Sequence, residues 1–171
     1  DMDVNAQKLF RMAIDQCRMN DEDFGIYQVT GSELANYFGV SKQNVYQHVL
    51  SWTSSCMKTL MVEEIAGAKK NGFRMYHIFD KCEYMNGVLT MQLHQEMKPF
   101  VLEIQKRLGF TQYELARILM MKGKYSIPLF ELMVSEMRNQ KVYGNHIVRF
   151  ELYVDEIRRQ TGTENSFKQI G

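Results

Sequence analysis

The chain has 171 residues, 45% hydrophobic and 24% charged, with a net charge of +1. That is enough chain for one full domain and part of another, in the ordinary range for a water-soluble fold. No apolar run approaches the roughly 18 residues of a membrane span, so no membrane partner is expected. Asp1-Met2-Asp3 is acidic and the segment after it is amphipathic, so no signal peptide is expected. Cys17, Cys56 and Cys82 are odd in number, far apart and without metal-ligand spacing. They are expected to be reduced thiols packed in a cytoplasmic protein.

The charge is uneven. Residues 1–40 carry three Lys/Arg against seven Asp/Glu, whereas residues 98–149 carry nine against four. A local basic surface is enough to neutralise phosphates, so the near-neutral total does not exclude nucleic acid. A solvated charged face has the same signature.

Leu9, Phe10, Ala13, Ile14 and Cys17 recur at helical spacing, which predicts a first helix over about residues 5–19. Ile26 to Val29 is a short strand. Thr30-x-x-Glu33 is a capping box that opens a short helix burying Leu34, Tyr37 and Phe38. Gly39 suits the left-handed residue that ends it. Ser41 is placed to cap the next helix, which runs through Val45, Val49, Trp52, Cys56 and Leu60. Two helices joined by Gly39-Val40-Ser41 form a helix-turn-helix.

The period then changes. Phe73 to Phe79 is strand-like, and Asn86-Gly87 joins two further strands in a type I′ hairpin. A hairpin after a helix-turn-helix is a wing, and strands such as Val88–Leu93 could pair edge to edge across a dimer. Gln95 to Leu108 reads as a helix with Pro99 in its first turn. Thr111-x-x-Glu114 is a second capping box, opening a helix to Met121. Ser126 is placed to cap the helix after Lys122-Gly123-Lys124-Tyr125. A strand around Ile147 to Tyr153 and a helix from Asp155 to Gln160 follow.

The order of parts repeats. Leu9-Phe10 and Leu129-Phe130 open similar runs 120 residues apart, and the glycine stops Gly39 and Gly162 are 123 apart. The second run is expected to be incomplete, stopping nine residues after Gly162. The fold class expected is mainly α with a small β-hairpin (α+β): a winged helix-turn-helix with the start of a second winged helix.

Phe110-Thr111-Gln112-Tyr113-Glu114-Leu115, followed by Lys124-Tyr125-Ser126-Ile127-Pro128-Leu129-Phe130-Glu131-Leu132, resembles the hallmark stretch of the plasmid replication initiator (Rep) proteins of iteron-type plasmids. The hairpin through Gly87-Val88-Leu89-Thr90-Met91 is similarly placed, and Val154 to Gly162 is similar to the opening of that family's second winged helix. Pro128 stands where the family has Arg, which puts that Arg's contact in doubt. The resemblance implies a first winged-helix domain over 1–125, then an interdomain helix and a truncated second winged helix over 126–171. It implies binding of repeated origin DNA as a homodimer, recruitment of host replication proteins, and no catalysis or cofactor.

Recognition helices offer their N-terminal residues to base edges. Here these are Lys42, Gln43, Asn44, Tyr46 and Gln47, with Ser41 able to touch phosphate. Asn and Gln bond adenine bidentately and Lys favours guanine. Lys122 and Lys124 flank Gly123 before a helix N-terminus, where an anion is favoured. His48, His77, His94 and His146 form no metal-ligand spacing, and no nucleophile stands with a base. Two readings remain beside the initiator: a winged-helix transcriptional regulator and a protein-interaction or dimerisation module.

Overall fold

The computed structural model describes residues 2–17, 26–65, 72–108, 112–140, 149 and 151–164. The chain divides into two compact units, Asp1–Met120 and Met121–Gly171.

In the first unit, α1 spans Val4–Gln16. Asp3 caps it, its carboxylate accepting from the Asn5 and Ala6 amides at 2.9 Å each. Two of the four free first-turn amides are thereby satisfied. Ala6, Leu9, Phe10, Ala13 and Ile14 form the buried stripe. Strand β1, Ile26–Thr30, alternates as a half-buried strand must, with Tyr27 and Val29 inward.

The Thr30 capping box is complete. The Glu33 amide donates to the Thr30 hydroxyl at 3.2 Å, and the Glu33 carboxylate accepts from the Thr30 amide at 2.8 Å. It opens α2, Gly31–Phe38, which stops at Gly39 with φ 65°. Leu34 and Ala35 are buried, and Phe38 stacks on Trp52 at 4.3 Å. Tyr37 departs from expectation, being 47% exposed. The buried stripe centres on Gly31, Leu34, Ala35 and Phe38, and Tyr37 lies roughly a third of a turn from that centre.

Helix α3 spans Val45–Met57. Ser41 is not its cap. Asn44 holds the N-cap position in helical backbone (φ −99°, ψ −1°) and makes no side-chain cap bond. A single turn precedes it, closed by the Asn44 amide donating to the Ser41 carbonyl at 3.1 Å. Ser41 therefore closes the turn through its carbonyl oxygen. The helix also ends before Leu60, which opens a strand.

That strand, β2 (Leu60–Ile65), pairs antiparallel with β3 (Gly72–His77), from Leu60 opposite His77 to Ile65 opposite Gly72. Strand β4 (Phe79–Met85) and strand β5 (Val88–Leu93) form the expected hairpin. Its Asn86-Gly87 turn has φ 52° and 76°, both left-handed as a type I′ turn requires. The larger sheet has the order β1-β5-β4. Val88–Leu93 is thus the central strand. Its pairing with β1, Ile26 opposite Gln92 through Thr30 opposite Val88, removes the free edge that dimer pairing through it would need.

Leu89, Met91 and Leu93 project from β5 into the core and are fully buried. Phe10 of α1 meets Phe79 of β4 edge-on, with ring centroids 6.0 Å apart. A 3-10 turn at Gln95–Met97 leads into α4 (Lys98–Leu108), and α5 (Gln112–Met120) follows. The second capping box rests on Thr111, outside the described residues.

In the second unit, α6 spans Ser126–Asn139 and packs on α7, Val154–Thr161. Ser126 does not cap α6. Tyr125 holds the N-cap (φ −97°, ψ −4°) with no side-chain cap bond, and the Ser126 amide donates to the Gly123 carbonyl at 3.1 Å. The entrances to α3 and α6 are therefore built alike. Pro128 is the third residue of α6, where its missing amide costs no helical bond. Helix α7 stops at Gly162 with φ 64°. The strand expected around Ile147 to Tyr153 is absent from residues 149 and 151–153, and the rest of that stretch lies outside the described residues.

Candidate nucleic-acid interface

Helix α3 is two-faced because its apolar residues repeat at helical spacing. Val45, Val49, Trp52, Thr53 and Cys56 are buried, and the Thr53 hydroxyl donates to the Val49 carbonyl at 2.7 Å. The side chains singled out from the sequence are all exposed. Ser41, Lys42, Gln43 and Asn44 stand on the turn before α3, and Tyr46 and Gln47 on its first turn. Tyr46 is 60% exposed, with its ring centroid 6.1 Å from that of Tyr84 on β4. The helix and the hairpin thus share one rim.

The same face continues to Leu50 and Ser51, also exposed. These positions lie three and four residues beyond Gln47 and so share its side of the helix. His48 is half-buried and stacks on Trp52 at 5.5 Å, which makes it part of the packing. Lys42 is the only Lys, Arg, Asp or Glu in residues 41–57. Such a surface offers amides, hydroxyls and one cation, with little long-range charge.

The hairpin tip is anchored. The Gly31 amide donates to the Gly87 carbonyl at 2.7 Å. A Cβ on Gly31 would collide with the Tyr84 hydroxyl, so that ring would have to shift.

Lys122 and Lys124 stand together on the exposed turn before α6, in the second unit. The Lys124 ammonium lies 5.5 Å from the centre of the Tyr125 ring. Arg74 on β3 is engaged with Glu96 at 3.1 Å. Arg158 pairs with Asp155 at 3.9 Å and Arg159 pairs with Glu156. Lys69, Lys70 and Lys168 lie outside the described residues.

Burial pushes the Cys56 thiol far up and the Cys82 thiol up to about 11, so neither is a thiolate at neutral pH. Among the described residues no group of three or more His, Cys, Asp or Glu could hold a metal ion. No described helix is long and apolar enough to cross a membrane.

A helix-turn-helix between β1 and a β4–β5 hairpin, with β1 paired to β5, is a winged helix; β2–β3 is an inserted second hairpin. Residues 1–134 match the family described as Initiator Replication protein, WH1, and the chain belongs to that family. A replication initiation protein of Escherichia coli is 21% identical over 141 residues, covering 82% of this chain. The chain spans 42% of that relative's length. The crystal structure of Pi initiator protein in complex with iteron DNA shares the fold, at TM-score 0.63 and 13% identity, over 100% of this chain and 70% of that one. The MSBI1.176 WH1 domain, a replication protein isolated from a multiple sclerosis patient, matches at TM-score 0.48 and 13% identity, over 71% of this chain and 88% of that one.

Proposed function

We propose that this chain is the part of a plasmid replication initiator that holds repeated origin DNA through α3. The observation that carries the reading is the exposed row Ser41, Lys42, Gln43, Asn44, Tyr46 and Gln47 at the entrance of the second helix of a winged helix. Gln43, Asn44 and Gln47 can bond adenine edges, Lys42 can bond guanine, and Ser41 can meet phosphate. The related Pi initiator has been crystallised with iteron DNA, which supports duplex DNA as the partner here. Lys122 and Lys124, on the exposed turn before α6, serve as a second phosphate contact. The role is binding without a chemical step, with host replication proteins as further partners and the cytoplasm as its place.

The second unit is proposed to open a second winged helix. Helices α2 and α7 are each eight residues long, and each ends on a left-handed glycine.

A dimer is proposed through the β2–β3 hairpin. On one face, Leu60, Val62, Phe73 and Met75 are 43%, 59%, 67% and 50% exposed, whereas Tyr76 on the opposite face is buried. Glu64 and His77 flank these four on the same face, and an exposed apolar patch rimmed by polar residues marks an interaction surface.

The test is competition binding of the chain to its plasmid's origin repeats against a scrambled duplex of equal length, over a range of salt. Preference for the repeats is expected. Equal affinity for both duplexes refutes the reading.

A further inference from the structure

A cavity of about 380 Å³ lies within the first unit, and none of the side chains proposed above for DNA contact lines it. It is within the size range of small-molecule sites. Met12 and Leu119 supply apolar wall, whereas Asp15, Tyr27, Glu33 and Tyr37 supply oxygen atoms. No lining group among the described residues is a cation.

Two of these groups have no protein partner among the described residues. Tyr27 is 3% exposed, yet its phenol makes no hydrogen bond to a described residue. Asp15 is half-buried and has no ion pair or hydrogen bond among the described residues. Desolvation raises its carboxyl above the ordinary range, as an uncompensated anion requires. Burial, followed by the nearby Tyr37, Glu33 and Asp15, raises the Tyr27 phenol as well. Tyr27 therefore stays neutral, with a lone pair to offer. Glu33 uses one oxygen for both the amide and the hydroxyl of Thr30, at 2.8 and 2.7 Å.

We propose that this cavity binds a primary alkylammonium group, its alkyl chain against Met12 and Leu119 and its N–H donors on Asp15 and Tyr27. Gln16 and Gln28 add amide groups to the lining, and an ammonium head supplies the positive charge that the described lining residues lack; a charge-assisted bond to a carboxylate is about twice as strong as a neutral one. The group could come from a free diamine or from a lysine side chain.

The test is titration of the chain with 1-aminopentane, 1-pentanol, 1,4-diaminobutane and N-acetyl-lysine methylamide, followed by amide NMR shifts. The amines are expected to bind at least about tenfold tighter than pentanol, which has the shape without the charge. Shifts should centre on Asp15, Tyr27 and Tyr37. Asp15→Asn should weaken the amines about tenfold and leave pentanol alone, and Tyr27→Phe should weaken them less. Tighter binding of the diamine assigns a free amine, and tighter binding of the lysine amide assigns a protein lysine. Pentanol equal to the amine, shifts centred elsewhere, or a folded Asp15→Asn variant with undiminished amine affinity overturns the proposal.

Discussion

Thr30 and Glu33 hold the entrance of α2 by reciprocal bonds between side chain and amide. The Thr30 amide, then the Thr30 hydroxyl, holds the Glu33 carboxyl below the usual carboxylate range. A carboxyl lowered on folding contributes stability that is present above its ordinary pKa and lost as pH falls through the folded value. Acid titration of stability should therefore show a component that Glu33→Gln removes. An unchanged acid limb in that variant would contradict the assignment. Thr30→Ala removes the other half of the box and should cost about 1 kcal/mol in denaturant unfolding. Gly39→Ala tests the turn itself. Nothing lies within 4 Å of a Cβ built there, so its cost of about 1 kcal/mol comes from the left-handed backbone alone. These residues were legible in the sequence because each has a local mechanical role. Tyr37 was not, because which neighbours cover the flank of a short helix is a tertiary fact.

At the scale of elements, the two hairpins were unequally legible. Asn86-Gly87 announces the β4–β5 turn through two left-handed residues. Strand β2 carries no such punctuation. Leu60-Met61-Val62 directly follows an apolar helix and reads as its continuation, until pairing with β3 shows otherwise. The entrances of α3 and α6 were misplaced for a related reason. Ser41 and Ser126 look like caps, but each helix is preceded by a turn closed between backbone groups. The core should answer to size alone. Leu89→Ala on the fully buried central strand should cost about 2–5 kcal/mol in denaturant unfolding. The exposed hairpin face should answer in association instead. Val62→Lys with Phe73→Lys is expected to shift the sedimenting species toward monomer while the melting temperature changes little. An unaltered dimer would place the interface elsewhere.

At the scale of the whole molecule, the family was legible because its hallmark stretch survives around Lys124 to Leu132, and residues 1–134 match that family. The candidate DNA face was legible because a recognition helix must expose its first turn, and residues 41–47 do so, apart from the core residue Val45. Its weak charge has a consequence. With Lys42 the only formal charge on that face, Lys42→Ala should lower the slope of log affinity against log salt by about 0.9, whereas Gln47→Ala should alter sequence preference and leave the slope unchanged. DNA reading through α3 is tested most directly by the affinity of the folded variant Lys42→Ala, Gln43→Ala, Asn44→Ala for the origin repeats, measured beside the parent chain. Preference for the repeats over scrambled duplex is expected to disappear while circular dichroism and melting are preserved. A variant that keeps the parent's preference would show that α3 does not read the DNA.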